Sequence, residues 1–521
     1  MNNPRFNFIV FLIFILLCLR SLAQPSVQWQ KVLGGSSWDW GYAIQQTADG
    51  GYVMAGGSGS TDGDATSNHG VTDFWIVKLD SDGNIQWQKS LGGSEGDICY
   101  SIQQTADHGY IMAGASKSNN GDVSGHQGTS STQNFWVVKL DSTGSLEWQK
   151  SLGGTSGESA NSIQQTTDGG YIIAGTSCSN DGDVTGHHGP TNYTDCWVVK
   201  LDSVGNKQWQ KSLGGTATDV AQSIQQTLDG GYIVAGYSAS TDGDVTGNHG
   251  NTDSWVVKLS GTGNLIWQKS FGGSQFDNAY SIQLTPDAGY IMVGSSSSTN
   301  GDVTGNHGND DYWVVKLDSA GVLQWQKSFG GSQVDYGHSI RLTTDGGYVI
   351  AGMASSNDGD VTNKHGLLGD YWIIKIDSLG NIEWQKSFGA SLNDLAYSIE
   401  QTSEGGYIMV GCVESIDGDL IGNHGYYDSY VVKLNAIDLG LATANNSICE
   451  LYVYPNPAKH QINIIVQQEM IGSLYGIMNL WGQTLISGIV KDKKSIVDIT
   501  LLPNGVYTLN MGNENIKLIK Q

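Results

Sequence analysis

Apolar residues along most of this chain come in short runs separated by glycine, aspartate and serine, with no sustained 3.6-residue helical spacing. In the stretch opening at Trp148 the runs read LEWQKSL, NSIQQT, GYIIAGTS and CWVVKLD. The same four return down the chain. W-Q-K falls at Trp29, Trp87, Trp148, Trp209, Trp267, Trp325 and Trp384, spacings of 58, 61, 61, 58, 58 and 59 residues. A closing [W/Y]-[V/I]-[V/I]-K-[L/I] starts at Trp75, Trp136, Trp197, Trp255, Trp313, Trp372 and Tyr430. The short connections D-G-G, after the second run, and S-x-G-N, after the fourth, suit tight hairpin turns. The runs are mixed rather than strictly alternating, as expected of strands covered on both faces.

Four antiparallel strands per unit, repeated seven times, predict an all-β array of four-stranded blades about a central axis: a seven-bladed β-propeller over residues 24–437. The array begins with a W-Q-K run and ends with a V-V-K-L run. If each blade starts at the S-I-Q-Q strand, the last blade lacks its outer strand. The N-terminal W-Q-K run is expected to supply it and close the ring, removing an open edge. The repeat resembles the bacterial β-propeller repeat families of secreted proteins. A fainter likeness, to quinoprotein dehydrogenases, rests on Asp141-Ser142-Thr143-Gly144 leading to Trp148; in that family the motif serves blade docking, not catalysis.

The flanks differ from the array. Residues 1–23 read as a signal peptide: Arg5 is basic, Phe8 to Leu19 is too short an apolar core to span a membrane, and Ser21-Leu22-Ala23 offers a cleavage site. No transmembrane segment is expected in the mature chain. Residues 438–450 read as a linker. From 451 to 521 the landmarks are VYPNPAKHQINI, LWGQTL and LPNGVYTLNM. These resemble the C-terminal sorting domain of the type IX secretion system (Por) of Bacteroidota, through Tyr454, Pro455, Asn456, Pro457, Gly482, Gly505 and Tyr507. The resemblance implies a small immunoglobulin-like β-sandwich, a partnership with the type IX machinery, passage across the outer membrane, and release or surface attachment.

Composition narrows the partners. Net charge is −24, and the tail after residue 438 is nearly neutral, so the acidity belongs to the repeats. Beyond the leader the chain has one arginine, Arg341. Such a chain lacks the basic footprint that phosphate backbones require, so no nucleic acid partner is expected. Five cysteines follow the leader, and none forms a CxxC pair. Cys178 and Cys196 flank one long loop, where a disulfide and two free thiols are both open.

Candidate chemistry lies on the loop face shared by the second-to-third and fourth-to-first connections. One acid recurs ten residues after each W-Q-K tryptophan: Asp39, Asp97, Glu158, Asp219, Asp277, Asp335 and Asp394. A second ends the [D/N]-G-D of the long loop: Asp64, Asp122, Asp183, Asp244, Asp302, Asp360 and Asp419. A third polar site is Asp73, Asn134, Asp195, Asp253, Asp311, Asp370 or Asp428. Clustered carboxylates suit calcium, with the Asp64 series as its candidate ligands. Against this, aspartates fold turns by accepting backbone N–H bonds, and no EF-hand spacing occurs. The loop also ends in H-G at His69, His188, His249, His307, His365 and His424, with Gln127 in the second repeat. One histidine per blade is too dispersed for zinc, so these are expected to stabilise loops.

Seven equivalent copies argue scaffold, and a site should arise where the repetition breaks. The breaks are Trp38, Trp40, Phe276, Tyr336, His338, Arg341, Tyr426 and Tyr427, which suit stacking on sugar rings or a protein hot spot and equally suit packing between blades. No nucleophile-elbow, zincin or P-loop motif is present. The expectation is a secreted or surface-displayed, non-catalytic binding or adhesion module for an extracellular glycan or protein. The alternatives are a polysaccharide hydrolase or lyase using acids from unlike blades, and a structural surface-layer component.

Overall fold

The computed structural model describes residues 24–418, 422–436, 451–454, 458–466, 471–479, 483–511 and 514–520; the leader, the linker and Asp419 lie outside them. The chain divides into two compact units, Met1–Asp438 and Leu439–Gln521.

The first unit holds seven four-stranded antiparallel sheets. In the first blade the strands run Asp39–Gln46, Tyr52–Ser58, Asp73–Leu79 and Ile85–Leu91, from the axis outward. The seventh blade takes three strands from Asp394–Gln401, Tyr407–Val413 and Asp428–Leu434, and its outer strand is Val27–Leu33 from the other end of the chain. Lys31 pairs with Val431 and Leu33 with Ser429 in that closing ladder. The ring is closed as the phase of the repeats required.

Blades are held by apolar faces packed sheet on sheet. One core cluster joins Phe74, Ile76 and Leu91 of the first blade to Ile102, Trp136 and Val138 of the second. Phe74 and Trp136 meet at a tilt across that junction with ring centroids 4.4 Å apart, and Phe135 meets Trp197 at 4.5 Å in the next. The W-Q-K tryptophan also docks forward. Trp209, on the third blade's outer strand, lies 5.8 Å from the Tyr232 ring of the fourth and packs on Gly263 in its outer turn. Each docked side chain removes apolar area worth about 1.5–3 kcal/mol, which is why this pair of residues recurs with the period.

The second unit contains a three-stranded and a four-stranded sheet around one core that includes Ile462, Ile464, Ile477, Val497, Leu509 and Leu518. Gly505 opens the strand Gly505–Met511, and Tyr507 donates its hydroxyl to Pro503 O at 2.7 Å, pinning the strand entry. Pro455, Asn456, Pro457, Gly482 and the Tyr454 side chain fall outside the described residues.

Candidate functional site

The recurring acids of the loop face are consumed in folding. The Asp39 series has no exposed surface. Asp39 Oδ2 accepts Gly35 N–H and Ser60 Oγ–H, both at 2.7 Å, and Oδ1 accepts Ser58 Oγ–H. Burial pushes Asp219 and Asp394 up to about 6 despite such bonds. The Asp73 series is equally buried, and each aspartate meets the loop histidine of its own blade. Asp73 Oδ2 accepts His69 N–H at 2.9 Å and lies 2.6 Å from His69 Nδ1. In the second blade Gln127 replaces the histidine and donates its N–H to Asn134 Oδ1 at 2.6 Å.

The six described candidate calcium ligands do not converge. Asp64, Asp122, Asp183, Asp244, Asp302 and Asp360 each accept the N–H of one glycine, Gly34, Gly92, Gly153, Gly214, Gly272 and Gly330, at 3.2–3.4 Å. Among the described residues no three of His, Cys, Asp or Glu gather as a metal would need. The lysine of each [W/Y]-[V/I]-[V/I]-K-[L/I] strand is likewise paired: seven buried ammonium groups reach an acid of the second strand's entry turn, from Lys78–Asp49 to Lys433–Glu404, at 2.7–3.0 Å. Cys178 and Cys196 are free thiols in this structure; Cys196 is buried in the third strand of its blade, and burial pushes both thiols up.

The eight symmetry-breaking residues fall into separate places. Trp38, Trp40, Tyr426 and Tyr427 come together where the first and seventh blades meet. Trp38 stacks on Trp40 at 5.9 Å and meets the Tyr426 ring edge-on at 6.2 Å. Tyr427 anchors the group: its carbonyl accepts Asp39 N–H at 2.7 Å, and its hydroxyl donates to Glu414 Oε2 at 3.2 Å. Trp38 is 49% exposed and Tyr426 69%. Phe276 is exposed too, but it bridges to Thr252 at the junction of the fourth and fifth blades. Tyr336 donates to Asp310 Oδ2 at 3.4 Å.

His338 and Arg341 instead line the axial channel, a cavity of about 340 Å³. Each inner strand carries a register shift, as between Gly41 and Ala43, and the extra residue turns toward the axis. Around the ring these residues are Tyr42, Tyr100, Asn161, Gln222, Tyr280, His338 and Tyr397. Five form an aromatic arc: Tyr100–Tyr42–Tyr397–His338–Tyr280, with centroid separations of 5.1, 4.9, 5.2 and 5.3 Å. Burial lowers His338 to about 4, which keeps its imidazole neutral. Three residues further on stand Gln45, Gln103, Gln164, Gln225, Gln283, Arg341 and Glu400. The amides clasp blades, as Gln45 Oε1 accepts Gln104 N–H at 2.7 Å. Glu400 does the same for Gln46 N–H at 2.9 Å, whereas a guanidinium cannot accept. Burial raises Glu400 and lowers Arg341, and the two opposite charges on adjacent blades offset this for each other.

Residues 452–521 match the family described as the secretion system C-terminal sorting domain. Regulatory protein FlaEY of Caulobacter vibrioides is 25% identical over 230 residues, covering 40% of this chain and 24% of that protein, so the chain spans about a quarter of that relative. Solved structures similar to the chain include the WD40 domain of Neurospora crassa Pan2, at 9% identity over 79% of this chain and 98% of that one, TM-score 0.43. PorZ, a surface component of the type IX secretion system of Porphyromonas gingivalis, is 12% identical over 94% of this chain and 60% of that one, TM-score 0.37. The chain therefore carries a type IX sorting tail, which directs export to the cell surface or the extracellular space. No described helix is long and apolar enough to cross a membrane.

Proposed function

We propose that the seven-bladed unit is a binding or adhesion module that engages an extracellular glycan or protein, without catalysis, through the Trp38–Trp40–Tyr426 surface. One observation carries this reading. The described acids and histidines of the same loop face are bonded into turns, while the exposed Trp38 and Tyr426 and the half-buried Trp40 form a contiguous patch. Exposed indole and phenol rings offer stacking faces for pyranose rings and anchors for a protein partner. Among the described residues lining the channel, Glu400 is the one carboxylate, and Arg341 lies beside it. Glycoside hydrolysis uses two carboxyl groups flanking the bond, so the axis favours binding over that chemistry.

The test is saturable binding of the mature chain to glycan and polysaccharide arrays, compared with Trp38→Ala and Tyr426→Ala. Loss of one stacking ring is expected to weaken binding about tenfold, about 1.4 kcal/mol. Binding is expected to survive EDTA, because the loop carboxylates are already bonded to backbone N–H groups. Unchanged affinity in both variants would refute the site. Absence of all glycan binding would leave a protein partner on the same patch, to be sought by capture with wild type against Trp38→Ala.

A further inference from the structure

Six buried carboxylate oxygens have no partner among the described residues: Oδ1 of Asp73, Asp195, Asp253, Asp311, Asp370 and Asp428. All stand at one place in the repeat, at the start of the third strand, with no exposed surface. In five of them Oδ1 lies across a glycine from the inner-strand aspartate of the next blade. The point a Cβ on Gly92 would occupy is 2.6 Å from Asp73 Oδ1 and 2.6 Å from Asp97 Oδ2. At Gly330 the corresponding distances are 2.8 Å to Asp311 Oδ1 and 2.6 Å to Asp335 Oδ2. Gly34, Gly272 and Gly389 are flanked in the same way by Asp428 and Asp39, Asp253 and Asp277, and Asp370 and Asp394. The sixth, Asp195, has His187 Nδ1 at 3.5 Å as well.

The seventh junction shows what such a position requires. There Asn134 stands for the third-strand aspartate, Glu158 for the facing one, and Gln127 for the histidine. Gly153 is flanked by Asn134 Nδ2 and Glu158 Oε2, so the arrangement is the same. Asn134 Nδ2 donates to Glu158 Oε2 at 2.9 Å, to Gly154 O at 3.2 Å and to Gln133 O at 3.3 Å. Gln127 Nε2 meanwhile donates to Asp183 Oδ2 at 3.1 Å, on the side where His188 Nε2 approaches Asp244 at 3.8 Å. An ionised oxygen in the place of that amide nitrogen would face acceptors on every side. A protonated oxygen would make the bond the amide makes. The exception removes one carboxylate and one imidazole together. Its remaining charge on the facing pair, minus one, equals that of an aspartate pair holding one proton.

We propose that each of these five junctions binds one proton between the third-strand aspartate of one blade and the inner-strand aspartate of the next. The acid then donates to the carboxylate and ties the two blades together. The titratable groups facing this proton are the paired aspartate and the histidine on the other oxygen, His69, His249, His307, His365 or His424, with Tyr312 also near Asp335 and Tyr371, Cys412 and Tyr427 near Asp394. Asp302 lies near Asp277, and Lys364 near Asp370. Burial also pushes Asp73, Asp311, Asp370 and Asp428 up to about 6, above the ordinary value of about 3.9. A raised carboxyl stabilises the fold fully below about 3.9, and that contribution is lost as pH rises through about 6.

The experiment is urea unfolding of the mature chain from pH 4 to pH 8, wild type against Asp311→Asn. An amide donates at every pH, so the variant should lose one proton's worth of pH dependence. Its folding equilibrium relative to wild type is expected to rise on the order of a hundredfold across that range. A pH-independent difference would overturn the proposal. So would calcium stabilising wild type, but not the variant, at pH 8, since that assigns the pair to a cation. Infrared difference spectra of wild type between pH 5 and pH 8 need no variant. Loss of buried carboxylic-acid carbonyl bands is expected, and their absence would count against the shared protons.

Discussion

Leu33→Ala tests whether the ring is closed by its N-terminal strand. Leu33 is 4% exposed and packs in one cluster with Ile44, Tyr52, Trp75 and Val77 of the first blade and Ile408, Val410 and Val431 of the seventh. Truncating a buried leucine removes its transfer free energy and leaves a cavity, together about 3 kcal/mol. Leu152 is the matched control. It holds the same position at the end of an outer strand that needs no closure, is 7% exposed, and packs with Ala160, Ile163 and Trp197 of the following blade. If the strand Val27–Leu33 completes the seventh sheet, the two substitutions should cost alike. For a unit of this size the unfolding entropy makes 3 kcal/mol a fall of about 3–4 °C in Tm. Both variants should also unfold in one cooperative transition, because each blade contacts both neighbours. The assay is calorimetry with urea unfolding followed by tryptophan emission. A silent Leu33→Ala (below about 0.5 kcal/mol) beside a costly Leu152→Ala would refute closure, because it would mean the N-terminal strand is undocked. An early partial transition confined to Leu33→Ala would mean that closure exists but does not couple the blades.

The turn clasps and the tryptophan docking give two further expectations. Asp229 is held down at about 2 by its bond from Thr227 and by Lys258, whose Nζ is 3.0 Å away, against the effect of burial. Because that carboxyl is mostly exposed, Asp229→Asn should cost no more than about 1 kcal/mol at pH 7. The depressed carboxyl stabilises above about 4 and ceases to as pH falls through about 2, so the variant and wild type should converge in unfolding experiments at pH 2. Gly230 and Gly263 have φ of +79° and +78°, but only Gly263 has an indole against it, with Trp209 atoms 2.8 Å from a built Cβ. Gly230→Ala should therefore cost about 1 kcal/mol for backbone conformation alone. Gly263→Ala should cost clearly more and shift the Trp209 emission; equal Tm losses in the two would argue against the docking role of that tryptophan.

Much of this architecture could be read from the period, because each repeated residue meets the same environment seven times. The missing outer strand was legible too, since a run left over at one end of an array and one lacking at the other have to pair. The roles of the acids are open between turn folding and calcium in the sequence because one residue type serves both; in the structure Asp39 accepts bonds from Gly35, Ser58 and Ser60, and Asp64 from Gly34. The surface patch was visible as separate aromatics. That Trp38 and Tyr426 touch depends on the closing register, which joins residues from opposite ends of the array. The channel was harder. Strict alternation along Asp39–Gln46 would set residue 42 on the face opposite 43 and 45, whereas the bulge turns all three to the axis, so alternation alone does not place Tyr42, Tyr100, Tyr280 and Tyr397 in the channel beside His338 and Arg341. A signal was nonetheless present. The second strand carries a glycine opposite each bulge, Gly56 in the first blade, where any Cβ would collide with the Trp40 carbonyl oxygen. An invariant glycine in the middle of a buried strand marks close backbone approach, and within this chain it recurs at Gly56, Gly114, Gly175, Gly236, Gly294, Gly352 and Gly411. The residue just beyond that mark changes between blades (Tyr42, Tyr100, Asn161, Gln222, Tyr280, His338 and Tyr397), so the channel lining varies beside the point where the backbone is least free.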